Sequence, residues 1–196
     1  MDCHLSTVGL SRWVWMVAAL LTACATTPPI SPELAQCTAR PDRFVASDNG
    51  TVLDTCTQLI WMAQDYRNLQ RQAPSNYEQV LYWVEEMNRQ SYAGYRDWRL
   101  PTRTEYQLLY DPESQQASYK NQPVGYATVF AAGGGEWYWT SEVEEWGDPP
   151  THIHNVWVFH YRKGKVYPYH TNPTYHTWVY HHDYKTGSAR LVRAAP

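Results

Sequence analysis

Charge is scarce in this chain. Only 18% of its 196 residues are Asp, Glu, Lys or Arg, which sets it apart from the highly charged compositions of disordered segments. The formal net charge is −3, and no nucleic-acid partner is expected. Long hydrophobic runs are missing as well. The apolar stretch "WVWMVAALLTA", residues 13–23, falls short of the ~20 residues that a membrane-spanning helix needs. Cysteine is rare, four in all, and neither Cys37 nor Cys56 sits beside a His, which disfavours thiol catalysis. No Gly-rich phosphate loop, Ser-His-Asp order or paired catalytic carboxylates stand out, and there is no solenoid-type repeat. The chain therefore reads as a non-enzyme without a cofactor. What it has in abundance is aromatic surface: ten Trp and sixteen Tyr, the composition of a globular, strand-rich domain with a core to bury.

The first residues read as a signal rather than as fold. Arg12 precedes the apolar run, which ends in small residues at Ala23, the layout of a secretory signal peptide. Leu21-Thr22-Ala23-Cys24 resembles the lipobox of bacterial lipoproteins. That resemblance implies a signal over 1–23, lipidation at Cys24, a membrane partner through the lipid anchor, and an outer-membrane address because Ala25 is not an aspartate. Ordinary secretion with a coincidental Cys is the plainer alternative. The following "ATTPPISPEL" is rich in Pro and Thr without periodicity, so residues 24–36 are expected to form an extended tether. The folded domain is expected over 37–196.

With Cys3 cleaved off and Cys24 lipidated, Cys37 and Cys56 remain. In an oxidising compartment two leftover cysteines most economically pair with each other, and a loop this short is worth about 3 kcal/mol. A reactive thiol is the rival reading.

"FVASDNGTVLDTCTQLIW", residues 44–61, is organised around Asn49-Gly50, a two-residue hairpin signal because both residues tolerate positive φ. A second turn is expected over Asp54–Gln58. Ser75-x-x-Glu78 reads as a capping box opening a helix to about Gln90, with Val80, Val84 and Met87 in period and Tyr77, Leu81 and Asn88 alongside. Thr102-x-x-Glu105 opens a second helix carrying Tyr106, Leu109 and Tyr110. Between the helices lies "AGYRDWRLPT". Pro101 pushes Leu100 into an extended conformation, and alternation sends Trp98 and Leu100 to one side and Asp97 and Arg99 to the other. This stretch is expected to be a scaffold joint and not an active site. Further on, "GEWYWTSEV" reads as a strand before an acidic loop "EEWGDPP". Hairpins are expected around Lys163-Gly164 and near Thr186-Gly187.

Four stretches, "DNGTVLDTCTQLIW", "GYRDWRLPT", "YWTSE" and "ARLVR", together resemble the Lcl C-terminal domain family in order and rough spacing. The resemblance implies an α+β, C-type-lectin-like single domain, two helices packed on antiparallel hairpins, with a surface-exposed, adhesin-like binding role and no catalytic residues. Family members often carry one Cys in the first helix and another just before the final Val-Arg. Here the helix has none and Leu191 stands at the second place, so both halves of that bridge are absent together.

Charge is unevenly spread. From Thr151 to Pro196 six cations (Arg162, Lys163, Lys165, Lys185, Arg190, Arg193) face one acid, Asp183. Seven histidines, Trp157, Trp178 and six tyrosines share this tail. Three readings follow: aromatics in the core under a solvated charged face; a site for anionic glycans; or a metal site from His152, His154, His181 and His182. Lys and Arg pair with sulfate, phosphate or carboxylate groups, and aromatic faces stack on sugar rings. The expected ligand-binding residues are therefore Arg162, Lys163, Lys165, Trp157 and Trp178, with binding to another envelope protein through the aromatic face as the alternative.

Overall fold

Gly50 holds φ at +85°, a left-handed conformation that glycine adopts without a Cβ penalty. Its N–H donates to the Ser47 carbonyl, and Asn49 Oδ1 accepts from Thr51 N and Oγ1 at 3.2 and 2.7 Å. The chain thus folds β1 (Phe44–Ser47) back onto β2 (Thr51–Asp54), with Ser47 opposite Thr51. The hairpin stands where it was expected, but its turn is three residues, Asp48, Asn49 and Gly50, rather than the two expected, and of these only Gly50 has positive φ. The second turn joins β2 to β3 (Leu59–Met62), Asp54 opposite Leu59.

The computed structural model describes residues 31–147, 150–170 and 184–196, and for 145–154, 170 and 184 the backbone only. Ser31–Pro196 is one α+β unit. Cys24 and the signal segment lie outside the described residues.

Extended tether was expected up to residue 36, but Pro32–Thr38 is a helix, α1. Ser31 accepts from Leu34 N at 3.2 Å, and Pro32 occupies the helix start, where its missing N–H costs nothing. None of α1's residues is buried. The Cys37–Cys56 disulfide joins it to the β2–β3 turn, with Cα atoms 5.6 Å apart, as the cysteine count anticipated. Beside this bridge Arg43 grips Asp54 through two hydrogen bonds, 2.9 and 2.6 Å, both side chains buried.

A short helix absent from the sequence reading, α2 (Tyr66–Gln70), opens on a capping box of Asp65 and Asn68. The longest helix, α3 (Tyr77–Arg89), starts one residue past the expected Ser75 cap. Asn76 Oδ1 accepts from Gln79 N at 2.8 Å, and Asn serves there as well as Ser does. Its buried stripe is Tyr77, Val80, Trp83 and Met87. Leu81, expected beside that stripe, is 40% exposed; Trp83 fills the core place instead. The capping box of α4 (Arg103–Leu109) forms as read, Thr102 and Glu105 exchanging bonds, and Tyr106 and Leu109 are buried.

The joint between α3 and α4 is built as scaffold. Trp98 and Leu100 are buried. Asn88 on α3 clasps the Trp98 backbone, accepting from its N–H (2.7 Å) and donating to its carbonyl (2.9 Å). The indole Nε1 donates to the Tyr92 carbonyl at 3.0 Å. On the outer side Arg99 makes a two-pronged pair with Glu105, 2.8 and 2.6 Å, and Asp97 meets Arg193 at 2.7 Å.

The second half forms β4 (Gln116–Ala117) paired with β5 (Pro123–Val124) and a larger sheet. In the latter β6 (Trp137–Gly147), β7 (Pro150–His160) and β8 (Lys165–His170) run antiparallel. The acidic segment expected as a loop continues β6 to Gly147, opposite Pro150. The hairpin expected at Thr186-Gly187 is not formed by the described residues. Instead Tyr184–Thr186 is a 3-10 turn, β9 (Gly187–Ser188) runs parallel to β6, and β10 (Val192–Ala194) closes the first sheet against β3. Gly187 lies against the Trp137 indole, where a Cβ would approach to 2.5 Å.

The tail's charge is redistributed by this ending. Arg190, counted in sequence among the tail's cations, is 1% exposed. Its Nη1 donates to the Met62 and Ala63 carbonyls at 2.7 and 2.6 Å, and its guanidinium lies 4.6 Å from the Phe130 ring centre. Around it pack Tyr106, Tyr126 and Tyr138; burial pushes the Tyr106 and Tyr138 hydroxyls well above their ordinary pKa. Asp65, also buried, accepts from Tyr138 Oη at 2.7 Å and Gly135 N at 2.9 Å. Leu191, at the position of the missing cysteine, is wholly buried in the apolar core.

Candidate functional site

The turn Arg162-Lys163-Gly164-Lys165 connects β7 to β8. Gly164 takes φ +61°, and both Lys163 N and Gly164 N donate to the His160 carbonyl. The turn is not a free tip. Gly164 lies on the Tyr110 ring, so that a Cβ there would sit 2.5 Å from it. The three cations consequently project from a backbone fixed against the end of α4. Arg162 leans to Glu136, Nη1 to Oε2 at 3.3 Å. Lys163 Nζ lies 5.4 Å from the Tyr167 ring centre, and Lys163 and Lys165 are exposed.

Trp157 is half-buried. The Arg103 guanidinium covers it at 4.5 Å and is itself tied to Glu142 at 3.0 Å, so part of the expected stacking surface is occupied. Trp178, His181 and His182 lie outside the described residues. His152 and His154 stand two apart on β7. Among the described residues no group of three or more His, Cys, Asp or Glu is placed to hold a metal.

Glu136 connects the turn to a cleft that the sequence did not indicate. The carboxylate is 4% exposed and accepts from Ser118 Oγ at 3.3 Å; its backbone N–H donates to the Thr186 carbonyl at 2.8 Å. Next to Ser118 and Thr186 stand Tyr119 and Lys185, which with Arg67, Gln72, Ala73, Pro74 and Ser75 line a cleft of about 380 Å³. The Arg67 guanidinium lies over Tyr119, 3.6 Å from the ring centre, and Nη2 donates to the Lys185 carbonyl. Its Nε is buried without an acceptor. Lys120 Nζ lies 5.6 Å from the same ring.

The sequence profile of the Lcl C-terminal domain family matches residues 50–180. The chain belongs to this family. The match takes in the β1–β2 turn from Gly50 onward, the α3–α4 joint and the start of β6, while the ARLVR stretch with its buried Arg190 lies beyond it. No curated protein and no solved structure matches the chain. Within this Lcl C-terminal domain the turn cations and the cleft share one neighbourhood through Glu136, whereas Trp157 is packed under Arg103.

Arg67 and Tyr119 escaped the sequence reading for a plain reason. They sit in polar, aperiodic stretches, and Arg67 is 118 residues from Lys185. The available local signal was Asp65-x-x-Asn68, whose capping box places α2 and hence Arg67.

Proposed function

We propose that the protein is a lipid-anchored component of the bacterial envelope, at the outer membrane, whose C-type-lectin-like domain binds anionic glycans in the manner of an adhesin. The observation that carries this reading is the cationic turn seated on Tyr110. Arg162, Lys163 and Lys165 are presented from a backbone that needs no further ordering, and preorganisation of this kind removes part of the entropic cost of binding. Charged groups on such a surface are cheap to desolvate and pair with sulfate, phosphate or carboxylate groups along a polymer. The lipobox pattern supports the anchor.

The test replaces Arg162, Lys163 and Lys165 with Ser together. Binding to heparin-type and lipopolysaccharide-type polymers should fall in a protein that keeps its folded circular dichroism spectrum, the melting temperature dropping only by what the Arg162–Glu136 pair contributes. Unchanged, salt-sensitive binding places the site elsewhere. A second reading, a structural envelope component that docks another protein, draws on Tyr82 and Leu81, 68% and 40% exposed on the outer side of α3. Absence of any polyanion binding in low salt would favour it.

A further inference from the structure

We propose that the cleft bounded by Arg67, Tyr119 and Lys185 is a subsite for one carboxylate-bearing sugar ring, separate from the basic turn. The choice of a sugar as carrier rests on the glycan-binding reading above; the choice of a carboxylate does not.

Arg67 is a cation held in place without a counter-charge among the described residues. Its guanidinium is held on Tyr119 at 3.6 Å and Nη2 is fixed on the Lys185 carbonyl, yet no carboxylate among the described residues pairs with it. Nη1 makes no hydrogen bond among the described residues and is the group left for a ligand, since Nε is buried, without an acceptor and out of a ligand's reach. A partly desolvated guanidinium in that state gains from an incoming oxyanion. The planar guanidinium edge matches the planar carboxylate, and its orientation is set before the ligand arrives. The exposed Lys185 and Ser75 side chains stand on the same rim. Ala73 and Pro74 give the cleft an apolar wall. A bare ion leaves that wall uncovered; a pyranose ring presents C–H groups to it while its carboxylate meets Arg67.

The test is a ligand-observed NMR titration of the full chain in detergent with glucuronate, glucose and acetate. Glucuronate should bind in saturable fashion, and glucose and acetate should each bind about tenfold more weakly, the factor that a lost charge-assisted contact or ring contact represents. Arg67→Gln should weaken glucuronate binding about tenfold. Should that variant lose its folded circular dichroism spectrum, Lys185→Gln, altered at the rim, should show a weakening in the same direction. A Lys163, Lys165 double Ser variant of the turn, which leaves the Arg162–Glu136 pair in place, should bind glucuronate as the unaltered protein does. Glucose or acetate equal to glucuronate, parallel loss in the double variant, or unchanged affinity in both cleft variants would each overturn the proposal. Heparin-type binding without glucuronate binding sinks the cleft and leaves the glycan reading standing. The reverse result removes the polymer site on the basic turn and leaves the cleft standing.

Discussion

Truncating Trp98 to Ala should unfold the protein's scaffold joint rather than disarm a ligand site. The indole is 2% exposed and meets Tyr92 and Tyr95 edge-on, with ring centres 6.0 and 5.9 Å away. Removing a buried Trp costs about 3–5 kcal/mol. The upper half of that range is expected, because the Nε1 bond to the Tyr92 carbonyl goes too and leaves its acceptor bare. Set against a typical stability of about 5–15 kcal/mol, this is a large fraction. It corresponds to a drop in melting temperature of about 10 °C for a domain of this size. Trp98→Phe separates the two contributions: it keeps a ring in the core and loses the hydrogen bond, worth about 1 kcal/mol. The assay is urea unfolding followed by circular dichroism, with polyanion binding measured on the folded fraction. An alanine variant within about 1 kcal/mol of the parent that has lost ligand binding would refute the argument, since scaffold truncation at so buried a site cannot cost so little.

Three further outcomes follow from particular contacts. Replacing Cys37 and Cys56 with Ala should lower unfolding stability by about 3 kcal/mol, and mass spectrometry of unreduced protein should show the linked peptide pair. Glu105 is pulled two ways: burial raises its pKa, but the Arg99 pair and the Thr102 backbone N–H outweigh it and leave the folded value below 4.5. Its stabilising contribution is then complete above the ordinary carboxylate pKa and is lost as pH falls through the lower folded value, so Glu105→Gln should flatten the acid limb of a stability–pH curve; an unchanged limb would contradict this. Replacing Cys24 with Ser should release the protein from membranes or leave it unprocessed, and normal processing with membrane retention would end the anchor assignment.

Much of the frame was legible locally. Gly50, the Thr102–Glu105 box and the alternation through Trp98 and Leu100 act over two to four residues, and each element they imply is present. The misses have physical reasons. The cap of α3 moved to Asn76 because two adjacent residues can both accept the same kind of backbone bond. The acidic end of β6 reads as loop by composition, but pairing with β7 extends the strand through it. Arg190 and Arg193 look like solvated cations in a basic tail, and only the return of the chain past β3 shows them buried or tied to Asp97. The cleft was invisible because its walls come from α2, the Tyr119 turn and the 3-10 turn at 184–186. Local pattern carries no record of such pairings.

The central claim, that the basic surface holds an anionic polymer, is tested most directly by titrating salt against the binding of a heparin-type polymer to the unaltered protein. Attraction between exposed charges is screened over about 8 Å at physiological ionic strength. Affinity should therefore fall steadily as salt rises from low to physiological values, and the Arg162, Lys163, Lys165 triple Ser variant should show both lower affinity and a flatter dependence while it remains folded. Binding that ignores salt, or no binding even at low salt, would contradict the account.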